Sequence, residues 1–294
     1  MKMRLSIEGC LLLSTFFYGQ EAATVPVATQ TLLNGVKTAS SKAVIKSVLR
    51  IECPKDQAKG TGFVLANGGL ITTNSHVVGT CGAADLIGYS SIKQEPVKFS
   101  ALQKDDNRDI ALLCPTVHLP FALRLSRAPE PPVESEVETW GYPLRYEGPA
   151  PVLSRGYVAG YTDGVDATGH PKQPRVRHLI VNGALNPGNS GGPLIDRSTG
   201  NVVGIVVEKW ALFSPDVEKV IFALQHSPTR TSSSLAYAEA SGNQRPLSNE
   251  EITAAALQEI YRKSQVMIGE AISVSELNSF IREKSQALAC QSLR

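Results

Sequence analysis

From residue 44 onward the chain is written as short apolar runs separated by turn residues, and that rhythm is what most narrows its fold. "AVIKSVLRIEC" leads into "GTGFVLANGGLITT", where Asn67-Gly68 between two apolar runs is a strong hairpin signal. Further short runs follow at "DIALLC" (109–114), "VETWGYP" (137–143), "PVLSRGYVAGY" (151–161) and "RHLIVNGAL" (177–185). "GGPLIDRSTGNVVGIVV" (191–207) reads as another hairpin, turning at Ser198-Thr199-Gly200-Asn201. Many short strands with regularly spaced turns predict an all-β barrel or sandwich.

The two ends depart from this pattern. Residues 1–23 read as a secretory signal peptide: Lys2 and Arg4, an apolar stretch from Cys10 to Tyr18 interrupted upstream by Glu8, then Ala22 and Ala23. The stretch is far shorter than the ~20 residues of a membrane span, and no other run reaches that length. Residues 24–43, rich in Ala, Thr, Ser and Val without a period, read as a linker or loose segment. Late in the chain, "SNEEITAAALQEIYRKS" (248–264) and "SVSELNSFIREKSQAL" (273–288) each open on a capping box, Ser248/Glu251 and Ser273/Glu276, and predict helices. A net charge of +2 and the lack of a basic block argue against nucleic acid as a partner. The basic stretch 170–178 reads as a solvated loop.

Three stretches have the residue types that hydrolysis through a serine requires: a nucleophile, a base, an acid to orient the base, and oxyanion donors. "TTNSHVVG" (72–79) sets His76 after an apolar strand, "DDNRDIALL" (105–113) sets Asp109 before one, and "GNSGG" (188–192) sets Ser190 in a turn of minimal bulk. These stretches resemble the His, Asp and Ser motifs of trypsin-like serine proteases, nearest the bacterial HtrA/Deg branch without a PDZ domain. The resemblance covers about 45–210 and resumes at "GEAISVSELNSFI" (269–281). It implies two six-stranded antiparallel β-barrels, the first over about 44–125 and the second over about 133–283, within a protease domain at 44–290. It also implies His76 as base, Asp109 as orienter, Ser190 as nucleophile, and an oxyanion hole at Gly188, Asn189 and Ser190. Asp105 and Asp106 compete with Asp109, but the resemblance puts the acid directly before the Ile-Ala-Leu strand. His118, His170, His178 and His226 read as surface or structural.

Further expectations follow from the resemblance. Asn189 stands where digestive relatives carry the aspartate that pairs with a cleaved N-terminus, so activation without zymogen cleavage is expected. The pocket for the substrate side chain maps to Ala184, Val206 and Val207; with no acidic residue there, small or medium aliphatic side chains are favoured over Lys or Arg. An insertion of about 208–268 separates two strands that the branch usually keeps close. Only 13 residues (282–294) follow Ile281, too few for a PDZ domain. Cys53 and Cys81 flank the His76 segment and are expected to pair, while Cys114 and Cys290 are left open. No metal or cofactor is expected, and no C-x-x-C pair suggests zinc. The expected function is an exported serine endopeptidase acting on polypeptides. The alternative is a silent or gated homologue that serves as a binding module. An α/β-hydrolase elbow is disfavoured by Pro193 and by the hairpin after Ser190.

Overall fold

A computed structural model describes residues 25–66, 69–93, 95–128, 130–144, 146–163, 175–209, 232–238, 244–263 and 268–284, with 224, 288 and 290 singly. The signal-peptide segment, the Asn67-Gly68 turn, His170 and His226 lie outside the described residues. Among the described residues two short helices come first, α1 (Val27–Gly35) and α2 (Ala39–Ser47). Strands β1 (Val48–Cys53), β2 (Ala58–Val64) and β3 (Ile71–Thr73) follow, then the one-turn helix α3 (Ser75–Val78), β4 (Ile87–Ser90), β5 (Phe99–Asp105) and β6 (Ile110–Pro115). These strands form a six-stranded sheet in the order β4-β1-β2-β3-β6-β5. A bridge between Gly88 and Val97, hydrogen-bonded both ways at 2.7 and 2.9 Å, ties β4 to the segment entering β5 and brings the sheet round on itself.

The second sheet is built from β7 (Glu136–Gly141), β8 (Val152–Thr162), β9 (His178–Gly183), β10 (Pro193–Asp196), β11 (Val202–Lys209) and β14 (Ile268–Ser273). It is a closed barrel in the order β10-β11-β14-β9-β8-β7. Between β11 and β14 come the hairpin β12 (Ser232–Ala238) and β13 (Gln244–Ser248) and the helix α4 (Asn249–Lys263); α5 (Val274–Lys284) follows β14. The expected all-β, two-barrel architecture with an inserted and a terminal helix is what the chain adopts.

Strand alternation explains where the core lies. In β6 the run Ile-Ala-Leu-Leu-Cys is apolar on both faces because both are covered. Ala111 and Leu113 join the core of the first barrel with Leu49, Ile51 and Phe99, while Ile110, Leu112 and Cys114 face the seam between barrels. In the second barrel, Val203 and Val206 point inward with Val137, Val158 and Leu179, whereas Val202 and Ile205 join the seam.

Residues 27–47 correct the expectation of a loose linker. They form α1 and α2, which bury Leu33, Val44 and Ile45 in the seam. Each helix is nine residues long and offers only a few apolar positions, too few to show a period. Thr38 caps α2 by accepting the N–H of Ser41 at 3.1 Å. The Ser248/Glu251 capping box forms in both directions, at 2.8 and 3.1 Å. At α5 the expected box is different: Glu276 accepts the backbone N–H of Arg177 at 3.1 Å and faces Arg108 at 3.5 Å, while Ser273 Oγ accepts the N–H of Ser275 at 3.2 Å. A carboxylate at that position is within reach of two cationic or donor groups from elsewhere in the fold, and they take it.

Two disulfides are present. Cys53–Cys81 (Cα–Cα 5.8 Å) joins the end of β1 to the segment after α3, and Cys114–Cys290 (Cα–Cα 5.5 Å) ties the region after α5 to β6. Among the described residues no helix is long and apolar enough to cross a membrane.

Candidate active site

His76 sits in α3, the single helical turn that ends β3, with the Cys53–Cys81 bond just beyond it. Asp109 precedes β6 and holds both the backbone and the ring of His76: Oδ1 accepts the His76 N–H at 2.9 Å, and Oδ2 lies 2.8 Å from Nδ1. The contact fixes the ring orientation and places the second ring nitrogen, Nε2, on the far side. The His76 side chain is 51% exposed and so is open to solvent. Asp109 reaches this position with φ at +55°, a backbone angle that non-glycine residues rarely adopt. Asn74 supports it by donating Nδ2–H to the Asp109 carbonyl at 2.8 Å.

The neighbouring aspartates have other work. Asp105 accepts the N–H groups of Asn107 and Arg108 at 3.0 and 3.1 Å, capping the turn. Asp106 takes the hydroxyl of Ser75, and that bond, helped by Lys104, holds its carboxyl below the ordinary range. Of the three aspartates, it is Asp109 that holds His76. Arg108 makes a two-pronged contact with Glu283 of α5, at 2.8 and 2.9 Å, and approaches Asp105 at 3.3 Å. The terminal helix thereby braces the turn that carries Asp109.

Ser190 lies in the turn before β10 and is only 7% exposed. The turn presses against the His76 segment: a Cβ on Gly191 would lie 3.0 Å from Asn74 N, and one on Gly60 would meet both the Val77 side chain and the Ser190 carbonyl. Every carbonyl of the turn is engaged. Pro187 O accepts from Leu144 N–H at 2.8 Å, Gly188 O from the Thr61 hydroxyl at 2.7 Å, Asn189 O from Gly192 N–H at 2.9 Å, and Ser190 O from Thr61 N–H at 2.8 Å. Because a trans peptide points its N–H opposite its C=O, these bonds also aim the amides. The N–H of Asn189 is spent on Asn186 O at 3.0 Å, so the sequence-derived donor set shrinks by this member. The N–H groups of Gly188 and Ser190 donate to no described residue.

Gly188 has φ +94°, and a Cβ there would meet Leu144 N and Tyr142 O at 2.5 Å, so only glycine fits. The Ser190 hydroxyl donates to the carbonyl of Val207. Val207 is the residue skipped where the β11–β14 register shifts between Val206 and Glu208, which frees its carbonyl from the ladder. Asn189 is 1% exposed, and neither polar atom of its side chain has a hydrogen-bond partner among the described residues.

Of the expected pocket residues, Ala184 is half-buried and Val207 packs at the seam between barrels. Val206 is a correction: it is fully buried in the core of the second barrel, because β11 alternation turns it inward, and it cannot face a substrate. His118 is exposed, and the ring of half-buried His178 meets Val176 O at 2.9 Å, as befits structural roles.

Comparisons with known proteins bear on the family and the fold. Residues 60–205 match the family described as "Trypsin-like peptidase domain". A protein of Hahella chejuensis named "Probable periplasmic serine endoprotease DegP-like" is 30% identical over 149 residues, which is 51% of this chain and 29% of the relative. "Protease Do-like 1, chloroplastic" of Arabidopsis thaliana is 33% identical over 165 residues, 54% of this chain and 34% of the relative. The chain thus spans about a third or less of the length of these curated relatives. The crystal structure of Rv3671c protease in its inactive form superposes with a TM-score of 0.53 at 19% identity, covering 89% of this chain and 97% of that one, a likeness of fold.

Proposed function

We propose that this chain, whose residues 60–205 match the trypsin-like peptidase family, is a serine endopeptidase that hydrolyses peptide bonds through an acyl-enzyme on Ser190. The observation that carries the reading is the His76–Asp109 contact at 2.8 Å, set beside a serine turn whose two unspent amides belong to Gly188 and Ser190. With Nδ1–H donated to Asp109, the Nε2 of His76 takes the proton of Ser190 Oγ as that oxygen attacks the scissile carbonyl. Negative charge then builds on the carbonyl oxygen and is received by the N–H groups of Gly188 and Ser190. His76 passes its proton to the departing amine, leaving an ester on Ser190. A water molecule, deprotonated by His76, attacks that ester and restores Ser190.

Three finer points belong to the same proposal. Asn189, buried and uncharged, forms no ion pair with a new N-terminus, so activity does not await zymogen cleavage. Ala184 and Val207 line the first pocket, and because neither is acidic, small or medium aliphatic side chains are favoured; a cleavage profile dominated by Arg or Lys would refute this. The two disulfides and the N-terminal sequence support export to an oxidising compartment.

One observation favours a gated variant of this reading: the Ser190 hydroxyl rests on the Val207 carbonyl and must leave it to meet His76. Covalent labelling of the purified protein with a fluorophosphonate tests both. Labelling abolished by Ser190→Ala and by His76→Ala is the expected result. A folded protein that stays unlabelled would refute an assembled, accessible nucleophile.

A further inference from the structure

We propose that Thr61 is the positioning residue of the oxyanion turn, a role that rests on the reading of Ser190 above. Thr61 belongs to β2 of the first barrel, whereas the turn it holds belongs to the second. It is fully buried, and all its polar atoms are engaged. Its Oγ1 donates to Gly188 O at 2.7 Å and accepts the N–H of Tyr142 at 3.1 Å, which uses the donor and one acceptor lone pair of a hydroxyl. Its N–H donates to Ser190 O at 2.8 Å, and its carbonyl accepts the Thr73 hydroxyl at 2.7 Å. Thr73 ends β3, three residues before His76. One residue therefore touches both ends of the Gly188–Ser190 turn and the strand that delivers the base.

The consequence for chemistry comes through peptide planarity. Gly188 O cannot rotate without breaking the bond to Thr61, and that fixes the plane joining Gly188 to Asn189. The Ser190 carbonyl is held the same way. The two amides that would receive the oxyanion lie on either side of this restrained plane, so their convergence depends on the Thr61 hydroxyl. The methyl group has a different neighbour: a Cβ on Gly192 would lie 3.2 Å from Thr61 Cγ2. Hydroxyl and methyl can accordingly be tested apart.

Thr61→Val keeps the shape and deletes the hydroxyl; Thr61→Ser deletes the methyl and keeps the hydroxyl. Deleting one oxyanion donor outright lowers kcat by about 10²–10³ in other enzymes, and misaiming two is expected to cost at least about tenfold. On a peptide substrate, Thr61→Val should lower kcat by that factor with KM within about twofold, and Thr61→Ser should recover most of the loss. Hydrogen–deuterium exchange provides a readout that needs no activity. The amides of Asn189, Gly191 and Gly192 are hydrogen-bonded in the wild-type turn and should exchange faster in Thr61→Val but not in Thr61→Ser. If Thr61→Val does not fold, Thr73→Val, which removes only the bond to Thr61 O, should show a smaller effect of the same kind.

Equal losses in the serine and valine variants, or unchanged exchange across 186–192 in every folded variant, would overturn the role of Thr61. Turn exchange that responds to the variants as expected, in a protein whose wild-type Ser190 takes no fluorophosphonate, would instead overturn the protease reading and leave Thr61 as the organiser of the turn.

Discussion

Replacing Gly188 by alanine perturbs the proposed oxyanion site through a single methyl group. The residue has φ +94°, and the new Cβ would lie 2.5 Å from Leu144 N, 2.5 Å from Tyr142 O and 2.8 Å from Pro143 C. All three are backbone atoms, so no side chain can swing aside. Left-handed strain for alanine is on the order of 1–3 kcal/mol. The first clash falls on the N–H that holds Pro187 O and so aims the Gly188 amide. Losing that donor is expected to raise the barrier by about 3–4 kcal/mol, a fall in kcat of about 10²–10³. The control is Gly200→Ala in the β10–β11 turn, which has φ +71° but faces only Ser40 Oγ at 3.0 Å. It should lower the melting temperature and leave kcat/KM near wild type. Steady-state kinetics on a peptide substrate, with circular dichroism to confirm folding, decide the matter. A folded Gly188→Ala enzyme within threefold of wild-type kcat would refute the assignment of that amide.

Three other expectations can be checked alongside. Asp109→Asn should leave the fold intact but misorient or mis-tautomerise His76, lowering kcat by up to about 10⁴ with little change in melting temperature. Glu283 is held below its ordinary value of 4.5, first by its hydrogen bonds from Arg108. Because the folded value is depressed, its contribution is fully present above the ordinary value and is lost as pH falls through the lowered one. Glu283→Gln should therefore lower the melting temperature at neutral pH, and the two proteins should converge in acid. Removing the Cys114–Cys290 bond by a double serine substitution opens a closure across 176 residues and should lower the melting temperature by on the order of 10 °C in a thermal scan.

The strands and the His, Asp and Ser segments were legible because they are local patterns: alternation, Asn-Gly or Gly-rich turns, and a polar residue at a strand edge. Other features depended on distant partners. Residues 27–47 gave no period because each helix buries only a few residues, and those fill a seam supplied by both barrels. The role of Val206 turned on the phase of β11, which a register shift one residue later obscures. The Glu276 carboxylate accepts the backbone N–H of Arg177 and faces the Arg108 guanidinium, neither of which a capping motif can foresee. The spare amides at Gly188 and Ser190 emerge only once the acceptors of the neighbouring carbonyls are known.

The Cys114–Cys290 bond also determines how the molecule would bear mechanical load. A pull applied to the chain beyond residue 290 does not enter the second barrel through α5. It crosses the sulfur bridge directly into β6, an inner strand flanked by β3 and β5. There the load falls on the hydrogen bonds that join β6 to β3 and β5, while β14, α5 and the Ser190 turn, which lie between residues 114 and 290, are bypassed. Reduction reroutes the same pull, so that α5 and then β14 would peel away first. The oxidised and reduced chains should thus unravel from opposite barrels when drawn by that end.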